Sequence, residues 1–357
     1  MKILILGGTG AIGSHLVSIL SMGGVNCFVT SRSKRENRQG VTYVCGNARD
    51  ITFVQSLLKS EKWDAIVDFM KYSTDDFKSR HRLLLSSTKQ YIYLSSSRVY
   101  ADTQGKITED SPRLLDVCKD QSYLKTDEYA LFKARQEDIL RQSSYGNWTI
   151  VRPYVTFSEQ RLQLSALEKE FWLYRAIKGR TIVFSKDLAE RTTTLTYGED
   201  VARGIASLIG KENSLRKTFH IATSESHKWK DILDTYLDAI EKKTERRPKV
   251  LLQDKWKPYH GGNNYQVTFD RLYDRQFDNS RINEYIDTKT FKPTLPALSE
   301  CISQFLDNPV FKPINWKSEA KKDRQTGEWA SMSEIQGVRQ KAVYLMYRLG
   351  IGFCMRY

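Results

Sequence analysis

A tyrosine and a lysine stand four residues apart in Tyr129-Ala-Leu-Phe-Lys133. On a helix, positions i and i+4 share a face, so a phenol and an ammonium would lie side by side. The cation would favour the phenolate and let Tyr129 exchange a proton with an alcohol or ketone near neutral pH. A hydroxyl that could orient such a carbonyl lies upstream in LSSSRVY, residues 94–100, at the end of an apolar run. Alone, the Tyr-Lys spacing is a common helix-surface pair. Its weight comes from the motifs around it and their order.

The first of these is near the N-terminus. KILIL, residues 2–6, is a short apolar run of the kind found in strands buried on both faces. Gly7-Gly8-Thr9-Gly10-Ala11-Ile12-Gly13 follows, and then SHLVSILSMGG carries Leu16, Ile19 and Leu20 at helical spacing before a glycine pair. In a strand–turn–helix, Gly7 permits the tight turn, Gly10 lets the backbone approach a pyrophosphate, and Gly13 lets helix and strand pack. The helix N-terminus adds unpaired N–H groups and a positive dipole end. The setting reads as a dinucleotide site.

The elements that would position these motifs alternate along the first half. Strands are expected at 25–30, 41–46, 64–70, 91–97 and 148–153, with helices over 52–60, within DFKSRHRLLLSS and over about 126–142. That rhythm predicts an α/β fold: a doubly wound parallel sheet of Rossmann type with a smaller α/β C-terminal substrate lobe. The expected domains are 1–153 for the dinucleotide, with later segments returning to it, and 154–310 for substrate. A basic, amphipathic extension would follow over 311–357.

Composition bounds the partners. The 357 residues carry 56 basic and 42 acidic side chains, a formal charge of +14, with 40% hydrophobic and 11% aromatic residues. Such a chain can build a core, and its charge suits an anionic ligand, nucleic acid or an acidic lipid surface. The five cysteines form no CxxC pair and the five histidines lack metal-ligand spacing. A disulfide framework or a metal site is not expected, and a reducing, cytoplasmic location is. No secretory signal is evident, and no run reaches the ~18 apolar residues that a spanning helix needs.

Taken together, GGTGAIG, LSSSRVY, YALFK with Glu137 one turn later, the RP of IVRPYV, TLTYGEDVARGI, FHIATSESHKWKDIL and KPTLPALSECI resemble the extended short-chain dehydrogenase/reductase family. These are the sugar-nucleotide epimerases, dehydratases and reductases, and the resemblance covers about 1–308. It implies a catalytic trio of Ser96, Tyr129 and Lys133, with Ser95 and Ser97 as the nearest competitors for the hydroxyl. It implies a nicotinamide dinucleotide held by Gly7, Thr9, Gly10, Ala11, Ile12, Gly13, Asn47, Ala48, Met70, Ser95 and Pro153 together with Tyr129 and Lys133. A phosphorylated or nucleotide-linked sugar is the implied substrate, with Arg98, Tyr154, Arg175, Arg180 and Arg191 as candidate contacts. A homodimer is family-typical.

Departures from the family pattern refine the expectation. NAD-preferring members place an acid at the end of the second strand. Here that position is Ser31, followed by Arg32. A carboxylate would repel a 2′-phosphate, whereas a hydroxyl and a guanidinium welcome it. NADP(H) is therefore expected, with NAD(H) as the alternative. The acidic pair of 4,6-dehydratases is replaced by Ser97-Arg98, and no cysteine stands in that loop. This leaves hydride transfer alone: reduction of a keto-sugar in glycan or polysaccharide precursor synthesis, or epimerisation through a transient ketone.

Two further readings concern partners. Residues 341–357 mix apolar side chains with Lys341, Arg348 and Arg356. A helix packed on its own domain or a second subunit is the simpler reading. A contact with a partner enzyme or with the inner face of a membrane is the sharper one. An RNA-binding, non-catalytic dinucleotide fold is the rival of another class. The Tyr129/Lys133 pair and the lack of interleaved aromatic and basic residues argue against nucleic acid.

Overall fold

The computed structural model describes residues 1–259 and 264–351. Seven strands form one sheet: β1 (Lys2–Leu6), β2 (Asn26–Ser31), β3 (Val41–Cys45), β4 (Trp63–Asp68), β5 (Thr88–Leu94), β6 (Trp148–Pro153) and β7 (Lys217–Ile221). Every pairing is parallel and the order is β7-β6-β5-β4-β1-β2-β3. The chain direction across the sheet reverses between β1 and β4, the place where doubly wound sheets bind ligands. The fold is α/β, of Rossmann type.

Strand alternation explains the two layers. Ile3 and Ile5 of β1 pack on one face with Leu16, Val17 and Leu20 of helix α1 (Gly13–Met22) and with Val201, Ile205 and Leu208 of the helix Gly198–Leu208. Leu4 and Leu6 point the other way. They join Val54 and Leu58 of α2 (Ile51–Ser60), Phe77 and Leu84 of α3 (Thr74–Ser86), and Leu140 of α4 (Tyr129–Arg141). Each fully buried side chain of this kind contributes roughly 1.5–3 kcal/mol.

The chain forms two compact units. The first comprises Met1–Phe157, Thr194–Ser226 and Arg275–Thr294, and it holds the sheet. The second comprises Ser158–Thr193, His227–Asp274 and Leu295–Tyr357. In the second, the strands Ile182–Ser185 and Val250–Gln253 pair in parallel, and Trp172 stacks on Tyr236 at 4.6 Å between ring centroids. Between 311 and 351 the chain contributes to this unit's core. The helices Trp316–Thr326 and Val338–Leu349 contribute Trp316, Ala320 and Tyr344 to a cluster with Tyr174.

Candidate active site

The glycine turn lies beyond the C-terminal end of β1, beside the end of β4. Gly7 adopts φ +75°, and a Cβ there would lie 2.8 Å from Met70 Sδ. Its N–H donates to Thr30 Oγ1 at 2.9 Å, which ties the turn to β2. A Cβ on Gly13 would lie 2.7 Å from the backbone of Gly8, and one on Gly198 would lie 2.5 Å from the Ala11 oxygen. Above Gly10, by contrast, a Cβ would meet nothing within 4 Å. Thr9 and Gly10 are exposed, and Ala11 and Ile12 are half-buried. No side chain caps the start of α1. An open floor before uncapped helix N–H groups fits a pyrophosphate.

At the end of β2, Ser31 is buried and its hydroxyl accepts from Arg35 Nε at 3.3 Å. The Arg35 guanidinium also lies over the Tyr43 ring, 5.8 Å from its centroid. Arg32 is exposed, and its backbone oxygen accepts from Cys45 Sγ at 3.8 Å. The cation joined to Ser31 is thus Arg35, which the sequence reading passed over. Its i+4 spacing from Ser31 was the available signal. Asn47 is exposed and its Oδ1 accepts from the Arg49 N–H at 3.1 Å, while Ala48 is buried.

The three serines after β5 separate by their partners. Ser95 donates to Glu137 Oε1 at 2.5 Å, and Ser97 donates to the Arg152 carbonyl at 2.8 Å. Among the described residues the Ser96 hydroxyl only accepts, from the Arg98 N–H at 3.2 Å, which leaves its hydrogen uncommitted there. Tyr129 opens α4, half-buried, and among the described residues its hydroxyl has no hydrogen-bond partner. Cations flank its ring: Lys71 Nζ lies 5.4 Å and Arg98 Cζ 5.1 Å from the centroid. Lys133 is buried, one turn further along the same face. Its ammonium donates to the Leu94 carbonyl at 2.5 Å and lies 4.6 Å from the centre of the Tyr93 ring. Burial lowers its pKa to about 8, against the opposing pull of Asp68 and Glu137.

Beneath this trio lies a layer that the motif reading only touched. Glu137, one further turn along α4, is fully buried and accepts from Arg152 Nε at 2.8 Å and Nη2 at 2.6 Å. With its bond from Ser95, this carboxylate clamps α4, the end of β5 and β6 together. Burial pushes its pKa up, but Arg152, Arg141 and Ser95 overcome this and hold it at about 2. Asp68, fully buried at the end of β4, accepts from the Met70 N–H and the Tyr91 hydroxyl, both at 2.8 Å. Burial raises its pKa. The serine loop is also pinned from far along the chain. Buried Arg275 donates to the carbonyls of Tyr100 and Ala101, each at 2.9 Å.

Of the expected substrate contacts, Arg98 is paired with Glu128 at 2.7 Å beside the Tyr129 ring. Tyr154 is buried after Pro153, with its ring 5.4 Å from that of Phe277. Arg191, exposed, lies 3.8 Å from Asp274. Arg175 and Arg180 are tied to carboxylates of the chain itself. Both are buried in the second unit, Arg175 against Glu319, Asp323 and Glu328, and Arg180 against Asp323 and Glu334. Their charge is spent on carboxylates of the C-terminal segment. Through residue 351, the segment from 311 is packed and ion-paired within the second unit. The remainder of that segment, 352–357, lies outside the described residues.

A parallel sheet with a glycine cradle at its switch point, and a Ser-Tyr-Lys set beside it, defines a nicotinamide-dinucleotide fold. The sequence model of the NAD dependent epimerase/dehydratase family matches residues 3–222. The chain belongs to that family and is an extended short-chain dehydrogenase/reductase-type enzyme. The fold is similar to that of UDP-glucuronic acid 4-epimerase from Bacillus cereus, solved with UDP-glucuronic acid and NAD. That match has 17% identity and a TM-score of 0.62, and covers 85% of this chain and 100% of that one. It is also similar to WbmH of Bordetella bronchiseptica, solved with NAD+, at 16% identity and a TM-score of 0.66, covering 87% and 99% of the two chains. A third similar structure is the epimerase Mth375 of Methanothermobacter thermautotrophicus, at 15% identity and a TM-score of 0.64, covering 86% and 92%. No curated protein matches the sequence.

Proposed function

We propose that the protein transfers hydride at a hydroxyl-bearing carbon of a nucleotide-linked or phosphorylated sugar, run as an NADPH-dependent reduction of a keto group. The observation that carries this reading is the uncommitted Tyr129 hydroxyl on the same strand-end and helix framework as Ser96. The dinucleotide, when bound, supplies the hydride. Gly10, Ala11 and Ile12 would hold its pyrophosphate, and Lys133 its nicotinamide ribose. Ser31, Arg32 and Arg35 would take a 2′-phosphate, with a guanidinium where a carboxylate would repel it. Ser96 donates its free hydrogen to the substrate carbonyl. Tyr129 gives its proton to the oxygen as the carbonyl becomes an alcohol. The buried charge of Lys133 favours the phenolate left behind.

The loop around Ser96 supports simple hydride transfer over elimination. Two carboxylates border it and both are committed: Glu128 accepts from Arg98, Tyr123 and the Ala130 N–H, and Glu137 from Ser95 and Arg152. A second reading, epimerisation with a retained dinucleotide, is supported by the relatives: one similar structure is a UDP-glucuronic acid 4-epimerase solved with NAD.

The test is a screen of NADPH oxidation against nucleotide-linked and phosphorylated keto-sugars, with Tyr129→Phe alongside. Turnover is expected to fall by about 10²–10⁴ in the variant, with dinucleotide affinity retained. Full activity in Tyr129→Phe would overturn the mechanism. Interconversion of two sugars without net oxidation of NADPH would replace the reductase by the epimerase.

A further inference from the structure

The C-terminal segment sorts its charges by side. Residues 311–351 contain four acids, Glu319, Asp323, Glu328 and Glu334. All four are ion-paired within the unit, and Glu319 and Asp323 are buried: they pair with Arg175 and Arg180, and Glu319 also with Lys322. Tyr174 and Tyr344 add hydroxyl bonds to Glu334 and Asp323 at 2.9 and 2.7 Å. The cations are left outside. Among the described residues, none of Lys312, Lys317, Arg324, Arg339, Lys341 and Arg348 has a carboxylate within ion-pair distance. Lys317 rests over the Tyr347 ring at 4.7 Å, and Arg348 over Trp329 at 4.3 Å.

The helix Val338–Leu349 also carries apolar groups that nothing among the described residues covers. On the helix Val338–Leu349, Tyr344 points into the core and is fully buried. Val338, Leu345 and Leu349 fall on another face at i, i+7 and i+11. They are 85%, 37% and 56% exposed, and Ile351 beyond the helix is 62% exposed. Arg348, three residues after Leu345, brings Trp329, itself 51% exposed, to the border of this stripe. The helix is too short to cross a bilayer, and among the described residues no helix is long and apolar enough to do so.

We propose that this face docks on an anionic lipid surface, with Val338, Leu345, Leu349 and Ile351 seated at the acyl boundary and the outward cations among the headgroups. Charge complementarity selects this occupant. Protein partners and second copies are served by mixed charge, whereas here every acid of the segment is ion-paired to a buried arginine. Apolar side chains, an indole and unpaired cations on and beside one short helix are the composition of an interfacial anchor.

The experiment is flotation of the full chain with vesicles of equal parts phosphatidylcholine and phosphatidylglycerol, against pure phosphatidylcholine. Binding to the mixed vesicles is expected at low ionic strength, falling as salt rises. Leu345→Asp with Leu349→Asp should abolish it. Arg339→Glu with Lys341→Glu should weaken it by about tenfold or more, with melting temperature unchanged in both. Equal binding to neutral vesicles, or no binding to the mixed ones, would overturn the proposal. So would a dimer of the native chain that the leucine variant separates, since that would assign the face to a second copy.

Discussion

At the scale of single residues, the two ends of the dinucleotide site make separable claims. Ser31 is held by Arg35 rather than Arg32. Arg35→Ala is expected to weaken NADPH by about tenfold or more, the worth of a charge-assisted hydrogen bond, and to leave NADH unchanged. Fluorescence titration with both dinucleotides measures this, and parallel loss of both would make Arg35 a structural residue. Glu137 makes the other claim. Glu137→Gln strands the buried Arg152 charge and should cost about 3–5 kcal/mol in urea unfolding. Because its folded pKa is depressed to about 2 from the ordinary 4.5, its contribution is full above about pH 4.5. It is lost as pH falls towards 2, so the variant should show a flatter acid limb over that window. The sequence carried a trace of this clamp: Tyr129, Lys133 and Glu137 repeat at four-residue spacing, which stacks them on one helix face. Its partners, Ser95 and Arg152, are distant in sequence, and only the adjacency of β5 and β6 joins them.

At the scale of elements, the glycine turn separates fold from ligand. Gly13→Ala places a methyl 2.7 Å from the Gly8 backbone and should lower the melting temperature. Gly10→Ala places one in open space, so the melting temperature should hold while dinucleotide affinity falls steeply. If Gly10→Ala binds normally, the turn is a structural feature and not a cradle. These elements were legible because apolar runs such as Lys2–Leu6 and Trp148–Pro153 are buried on both faces and interrupted by helical spacing. The helix Trp316–Thr326 was not, since its sequence is mostly polar. Its Glu319, Lys322 and Asp323 are buried all the same, in ion pairs rather than apolar contacts. Hydrophobic periodicity cannot report a helix that packs through charge. The ion pairs of Arg175 and Arg180 were equally out of reach, because their carboxylate partners lie more than 130 residues further along the chain.

At the scale of the molecule, the chain leaves the sheet unit and returns to it twice. β7, which completes the sheet beside β6, comes after the whole first segment of the second unit. Arg275, which pins the loop after Ser96, comes after the second segment as well. During synthesis, residues emerge in order and domains fold as their parts become available. The glycine turn, β1 to β6 and α4 can assemble while later segments are still being made. The carbonyls of Tyr100 and Ala101 wait for a guanidinium that has not yet been polymerised. A nascent chain therefore gains a seat for the dinucleotide before its serine loop is fixed, and chemistry is the last property the protein acquires.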